Sequence, residues 1–153
     1  MMGLEKILAV LIFIIFGSYL FFMDFKYLRL PESPVFLLLW MGLVFNINQN
    51  FSPLDQAVLG VIVGYGSLWL IFWIFKYITG KEGLGYGDFK LLGAMGGWFG
   101  LMELPRIILM ASGLGLVLFG LRFFLERKIK NGLEIKIPLG ALILLAGFLE
   151  FFK

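Results

Sequence analysis

Two aspartates, Asp24 and Asp88, are the residues of this chain best placed to carry out chemistry. Each stands at one end of a long apolar stretch, and an ionisable group at the boundary of a membrane segment is a functional candidate. Asp88 follows Gly85 and Gly87 in the sequence GYGD. The two glycines let the backbone adopt conformations closed to other residues and let another segment approach closely.

Two carboxyls in one partly dry site cannot both ionise easily, so one stays protonated while the other stays charged. The charged carboxylate can take a proton from water while the protonated one donates to a substrate carbonyl. This is the chemistry of aspartic proteases, and it needs no metal ion or cofactor. Asp55, the third aspartate, lies in the segment SPLD, which has the spacing of a helix-capping box and so has a sufficient structural role.

Both candidate residues also have a simpler interpretation. For Asp88 it is an exposed acid in the first turn of a helix, and for Asp24 it is an interfacial acid paired with Lys26 or Arg29. Other chemistries have less support. The chain has no histidine and no cysteine, which excludes Ser-His triads, imidazole bases, thiolate zinc sites and cysteine nucleophiles.

The composition indicates a membrane protein. Of the 153 residues, 61% are hydrophobic and only 15% are charged, whereas a soluble domain is about half apolar and a quarter charged. The net charge of +3 is too small to indicate a nucleic-acid partner. The expected surroundings are therefore the lipid bilayer.

Apolar runs and helix-start signals predict an all-α, polytopic membrane protein with about six transmembrane helices, short loops and a single domain over residues 1–153. Ser33-Pro34 and Ser52-Pro53 are typical of an N-cap followed by the first helical residue. Small residues predict close packing, in particular the glycines of the third, fourth and fifth helices. The predicted helices cover about 7–23, 34–48, 53–78, 88–102, 105–122 and 138–151.

The distribution of positive charge predicts the orientation. With six spans, ten of the 13 Lys and Arg residues fall on one side, which is expected to be cytoplasmic. Both termini then lie outside, and Asp24 and Asp88 share the cytoplasmic boundary of the inner (plasma) membrane. The assignment of sides depends only on Lys and Arg. The position of Asp24 and Asp88 on the same side is therefore independent support for a shared site.

At this point the residues resemble a known family. The stretch GYGDFKLLGAMGGWFG, from Gly85 to Gly100, is similar to the G-x-G-D signature of type IV prepilin peptidases, which are intramembrane aspartyl proteases. DFKYLRLPE, from Asp24 to Glu32, resembles the first catalytic segment of that family, and IPLG at 137–140 resembles its Pro-Phe-Gly-Pro segment. The resemblance covers nearly the whole chain, in the family's order.

The resemblance implies that Asp24 and Asp88 are the catalytic pair and that Gly85, Gly87 and Lys90 shape the site, with no cofactor and no metal. It implies substrates of the prepilin type, including pseudopilins of type II secretion, which have a short basic leader and a hydrophobic helix. The cut is expected at the cytoplasmic face.

The chain departs from the family pattern in a few places. Glu32 stands where Asp is usual, and Leu139 and Ala141 replace Phe and Pro. Many bacterial members also carry paired C-x-x-C motifs and N-methylate the mature pilin. This chain has no cysteine, so N-methyltransferase activity is expected to be absent and a peptidase-only member is predicted.

Two other functions are open at this stage. A protease of the presenilin or signal-peptide-peptidase type shares G-x-G-D but pairs it with Tyr-Asp and Pro-Ala-Leu, and neither occurs here. A non-enzymatic membrane protein, such as a transporter or an assembly factor, requires a polar pathway at mid-membrane. The helix centres offer mostly Gly, Ser and Tyr.

Overall fold

The computed structural model describes residues 3–126 and 137–153, and within these ranges the chain is all-α. Six α-helices are found there in the predicted order, and that about six helices cross the membrane stays a prediction. Three of them, α1, α3 and α5, are long and apolar enough to cross a membrane, and α2 and α6 are shorter apolar helices. The helices are α1 (Leu4–Tyr27), α2 (Glu32–Asn46), α3 (Leu54–Thr79), α4 (Tyr86–Phe99), α5 (Leu104–Glu126) and α6 (Leu139–Glu150).

Two predicted helix starts are wrong. α2 begins at Glu32 after Pro31, so Ser33 is not its N-cap. α3 begins at Leu54 after Pro53, and no side-chain cap hydrogen bond is made there. The Ser52 hydroxyl donates to the Pro53 carbonyl at 3.4 Å, and the Ser52 backbone N–H donates to the side-chain oxygen of Asn46 at 3.1 Å.

α1 is longer than predicted and contains Asp24. The helix continues past the apolar run to Tyr27 and ends where Leu28 adopts a left-handed conformation with φ 52°. Asp24 therefore lies in the last helical turn, with its backbone carbonyl accepting the Leu28 N–H at 2.9 Å. The backbone of a regular helix thus holds this carboxyl in place.

α4 is the central helix of the bundle. Nearly every residue from Asp88 to Phe99 is buried, and α4 contacts α2, α3, α5 and α6. The predicted glycine packing is confirmed where α3 crosses α4: a Cβ on Gly60 would lie 2.6 Å from the Gly96 carbonyl oxygen. Only glycine permits this backbone-to-backbone approach.

On α5 the predicted glycine packing is only partly right. A Cβ on Gly115 would lie 3.3 Å from Leu142 of α6, but Gly113 and Gly120 have nothing within 4 Å. The spacing of small residues gave no way to separate these cases, because it does not say which face of α5 meets a neighbour.

A buried asparagine joins α2 to the carboxyl end of α4. The side-chain amide of Asn46 donates to the carbonyls of Gly97 and Trp98, each at 2.8 Å, and its oxygen accepts the N–H groups of Phe51 and Ser52. Asn46 is fully buried. It therefore satisfies four backbone groups that have no helical partner at this point.

Successive helices run in opposite directions. At one end of the bundle, Arg106 at the start of α5 pairs with Glu150 at the end of α6. At the other end, Glu32 at the start of α2 pairs with Lys90 near the start of α4. Large apolar side chains are exposed along the outer helices, as expected for a protein surrounded by lipid.

Candidate active site

Asp24 and Asp88 line one cavity at an end of the bundle. The cavity has a volume of about 830 Å³ and opens between α1, α4, α5, α6 and the segment that connects α3 to α4. Both side chains are largely buried, with 5% of Asp24 and 9% of Asp88 exposed. The described residues that complete the lining are Leu28, Glu82, Gly83, Leu84, Gly85, Ala111, Ser112, Gly115, Leu116, Phe119, Ile137, Leu139 and Leu142.

Asp88 is held by the first turn of its own helix. α4 begins at Tyr86, and the Gly85 N–H donates to the Asp88 carboxylate at 3.3 Å. A Cβ on Gly85 would also lie 3.3 Å from the same oxygen, so a side chain there would press on the carboxyl. Asp88 therefore lies in the first turn of a helix, as the simpler interpretation predicts, but it is buried and not exposed.

Asp24 is held by a different helix from its own. The Ala141 N–H at the start of α6 donates to Asp24 Oδ2 at 2.7 Å, and the contact is buried. The ion pairs among the described residues do not include Asp24, so the simpler interpretation as a partner of Lys26 or Arg29 is wrong there. The Lys26 ammonium instead lies over the ring of Tyr27, 5.2 Å from its centroid.

Each carboxyl thus meets the amino-terminal end of a helix, where free backbone N–H groups and the helix dipole favour negative charge. The two carboxyls are also close enough to interact electrostatically. In the described lining there is no Lys or Arg to neutralise them, and the third acid, Glu82, pairs with Lys76 at 2.9 Å. Such a pair can hold one proton between two carboxyls and share it with a bound water.

Leu30 joins the three segments that the sequence singles out. It lies just after Asp24 in the chain, and a Cβ on Gly87 would come within 2.7 Å of Leu30 Cβ. A Cβ on Gly140 would come within 2.7 Å of Leu30 Cδ1. The two glycines therefore let the amino ends of α4 and α6 pack on one leucine.

Gly87 and Lys90, both predicted to shape the site, lie outside the cavity. Neither belongs to its described lining. Gly87 packs against Leu30, while the Lys90 ammonium pairs with Glu32 at 2.6 Å and lies over Phe36. Their position allows an indirect effect on Asp88 through the start of α4.

Sequence reasoning missed the contributions of α5 and α6. It did not select Gly140 and Ala141, although IPLG was noted, and Ser112 and Gly115 of α5 carry no local signal. A Ser-Lys dyad is not formed by Ser112 within the described lining, which contains no lysine. The basic residues Arg127, Lys128 and Lys130 lie outside the described residues.

Comparison with known proteins matches this chain to one family model and to several curated relatives. The model of the type IV leader peptidase family matches residues 11–120. The chain is 55% identical over 94 residues to the prepilin leader peptidase/N-methyltransferase of Pectobacterium carotovorum, covering 61% of this chain and 34% of the relative. It is 42% identical over 128 residues to that of Aeromonas salmonicida, covering 84% of this chain and 43% of the relative.

A third relative, the prepilin leader peptidase/N-methyltransferase of Pseudomonas aeruginosa, is 44% identical over 126 residues, covering 82% of this chain and 42% of the relative. The chain spans less than half the length of each of these relatives. No solved structure matches it significantly. Because the family model covers residues 11–120, well over half of the 153, this chain belongs to the type IV leader peptidase family.

Proposed function

We propose that this chain is a membrane-embedded aspartic endopeptidase that removes the leader from prepilin-like precursors. The observation that carries the proposal is the shared cavity: two carboxyls, from residues far apart in the sequence, face one partly enclosed space. Family membership supports the choice of a peptidase, because the named relatives are prepilin leader peptidases.

In the proposed reaction, Asp24 and Asp88 share one proton. The ionised carboxylate takes a proton from water as the water oxygen attacks the scissile carbonyl carbon, and the protonated carboxyl gives its proton to the carbonyl oxygen. The resulting tetrahedral intermediate breaks its C–N bond when the carboxyl that took the proton from water gives it to the leaving nitrogen, while the other carboxylate takes a proton from a hydroxyl of the intermediate. The pair thereby returns to its starting protonation state, and its titration behaviour belongs to both residues together.

The proposed substrates are pilins or pseudopilins with a short basic leader followed by a hydrophobic helix. We place the protein in the inner (plasma) membrane, with about six spans and both termini outside. Asp24 and Asp88, the catalytic dyad of this proposal, then lie at the cytoplasmic face. The Lys and Arg residues support this orientation, because Lys26, Arg29, Lys76, Lys81 and Lys90 all belong to the end of the bundle that carries the dyad.

N-methyltransferase activity is proposed to be absent from this chain. The proposal rests on the lack of cysteine in the 153 residues, since the C-x-x-C motifs of many family members cannot be formed. Incubating the purified protein with a cleaved pilin and a labelled methyl donor tests it, and methylated pilin would contradict it.

The peptidase proposal is tested with purified protein in detergent, a panel of prepilins and mass spectrometry of the products. Asp24→Asn and Asp88→Asn are each expected to abolish cleavage, a loss of at least about a hundredfold, because each removes one carboxyl of the acid–base pair. Asp55→Asn is the matched control: Asp55 is exposed at the start of α3, so this variant should keep wild-type activity.

The same assay separates the rival functions. Cleavage within the hydrophobic helix of the substrate would favour a protease of the presenilin type. Failure of the wild-type protein to cut any prepilin, or substantial cutting by either dyad variant, would contradict the proposed function.

A further inference from the structure

We propose that Glu82, on the segment between α3 and α4, binds a Lys or Arg side chain in the leader of the substrate. The inference rests on the proposed function, in which the substrate has a basic leader. It makes Glu82 a specificity-determining residue, whose carboxylate holds the leader beside the dyad and takes no part in the proton transfers of Asp24 and Asp88.

The first reason is the position of Glu82 in the cavity. Glu82 lines the same cavity as Asp24 and Asp88, yet its side chain is 57% exposed, whereas both aspartates are buried. The segment that carries Glu82 joins α3 to α4 at the end of the bundle that holds the dyad. Glu82 therefore lies at the exposed edge of the cavity, where a leader that remains in water must enter.

The second reason is the division of the cavity lining into a charged edge and an apolar side. α5 and α6 line the cavity with Ser112 and otherwise with apolar side chains and glycine. A peptide with a charged leader before the scissile bond and an apolar helix after it matches this division. In the described lining, Glu82 is the only acid besides the dyad and there is no Lys or Arg, so Glu82 is the exposed partner available to a cation of the leader.

The third reason is that the present partner of Glu82 can be exchanged. Lys76 pairs with Glu82 at 2.9 Å, and neither side chain is buried. An exposed ion pair contributes little, because water screens it and two long side chains lose freedom. The Lys76 ammonium also lies over the rings of Phe72 and Trp73, 5.5 Å and 5.4 Å from their centroids. It therefore keeps favourable contacts when the carboxylate turns to another cation.

Other contacts hold the backbone beside Glu82, so its side chain can change partner without moving the dyad. A Cβ on Gly83 would lie 2.8 Å from the Phe75 ring, so Gly83 packs directly on α3. The Gly85 N–H donates to the Asp88 carboxylate and attaches the segment to α4. Loss of the Glu82 carboxylate should therefore change substrate binding and leave turnover unchanged.

The first test is Glu82→Gln in the prepilin cleavage assay, with melting temperature as the measure of folding. The two substrates are a prepilin with a basic leader and the same prepilin with its leader Lys and Arg changed to Gln. For the basic leader, KM should rise about twofold to fivefold at unchanged kcat, as expected when an exposed ion pair is lost equally from the ground state and the transition state. For the neutral leader, Glu82→Gln should have the wild-type KM. Glu103→Gln is the matched control, because Glu103 is also an ion-paired acid but belongs to the opposite end of the bundle.

Lys76→Met separates leader binding from a structural role of the ion pair. If Glu82 only ties its segment to α3, removal of either partner should cause the same loss of activity. If Glu82 binds the leader, Lys76→Met removes a competing cation, so KM for the basic leader should fall about twofold to fivefold while KM for the neutral leader is unchanged. This comparison decides the question even where Glu82→Gln fails to fold.

Several results would overturn the inference. A wild-type KM of Glu82→Gln for the basic leader would do so, as would an equal rise in KM for both leaders. A lower kcat at unchanged KM would assign Glu82 to the support of Asp88 instead. An unchanged or higher KM of Lys76→Met for the basic leader would show that the ion pair is structural. A wild-type protein that cleaves neither prepilin would contradict the proposed function, so the two failures are distinguishable.

Discussion

The carboxyls of Asp24 and Asp88 accept hydrogen bonds from different parts of the chain. Asp88 receives its hydrogen bond from Gly85, three residues earlier, whereas Asp24 receives one from Ala141, in another helix. The first hydrogen bond is local, because Gly85 and Asp88 lie within the first turn of α4. The second depends on the packing of α6 and α1, so changes far from Asp24 in the sequence can alter it.

The glycines near Asp24 and Asp88 leave room for different neighbouring groups. Gly85 leaves room for the Asp88 carboxylate, while Gly87 and Gly140 leave room for Leu30. Their φ values lie outside the left-handed region, so space and not backbone conformation explains why these positions are glycine.

Gly87→Val is expected to lower prepilin cleavage at least about tenfold while the protein still folds. The new side chain would meet Leu30 Cβ, an atom close to the backbone that cannot move aside, so the start of α4 and Asp88 must shift. Cleavage rates in detergent measure the effect, with Gly120→Val as the control, because nothing lies within 4 Å of Gly120. Equal activity of both variants would show that the Leu30 contact does not matter.

At the level of helices, the Lys90–Glu32 ion pair connects α4 to α2. The Lys90 side chain is only 19% exposed and its ammonium also lies over the Phe36 ring, 5.3 Å from the centroid. The pair joins the starts of α2 and α4. The ion pair is therefore positioned to stabilise these two helix starts, although Lys90 does not line the cavity.

A double-mutant cycle with Lys90→Met and Glu32→Gln should give a coupling energy of about 0.5–1 kcal/mol in denaturant unfolding, since Glu32 is exposed and the pair is partly screened. Methionine keeps the apolar stem of Lys90. Cleavage by Lys90→Met should stay within a few-fold of wild type, and a loss comparable to that of Asp88→Asn would assign Lys90 a direct role in the site.

Asn46 forms hydrogen bonds with the carboxyl end of α4, at the end of the bundle opposite to the dyad. Asn46→Ala removes both donors and the acceptor and leaves buried carbonyl and N–H groups without partners, so the free energy of unfolding should fall by roughly 2–4 kcal/mol. Activity below the melting temperature should be retained, because Asn46 is remote from the dyad. Asn48→Ala is the control: Asn48 is exposed and contacts Glu5, so its removal should change stability little.

Across the whole molecule, the antiparallel order of the helices gives the two ends of the bundle different sets of charged residues. The dyad end holds Asp24, Asp88 and most of the described Lys and Arg residues, while Lys6, Arg106 and Lys153 belong to the other end. By the positive-inside rule, this distribution supports the proposal that the dyad lies at the cytoplasmic face.

Single-cysteine labelling tests this orientation, and the absence of cysteine from the chain makes the background clean. Lys81→Cys, in the exposed segment after α3, should react with a membrane-impermeant reagent only from the cytoplasm. Asn48→Cys, exposed at the opposite end, should react only from outside. The reverse pattern would invert the topology and put the dyad on the outer face.

The sequence by itself predicted Asp24 and Asp88 as the candidate pair, and it predicted the order of the six helices found in residues 3–126 and 137–153. It also predicted that Asp24 and Asp88 lie at the same end of the bundle. These follow from apolar runs, helix-start residues and charge distribution, which are local properties or simple alternations. The helix starts predicted at Ser33 and Ser52 were wrong, since α2 begins at Glu32 and α3 at Leu54 without a side-chain cap. A capping preference is worth only about 1 kcal/mol, so it does not fix a helix start by itself.

Only the tertiary structure decided how the dyad is supported. The bond from Ala141 to Asp24 spans 117 positions in the sequence, and the packing of Leu30 against Gly87 and Gly140 brings three separate segments together. Neither contact has a periodic or compositional signal, because each depends on the direction in which whole helices pack. Glycine spacing likewise could not distinguish Gly96, in contact with α3, from Gly113, which faces open space.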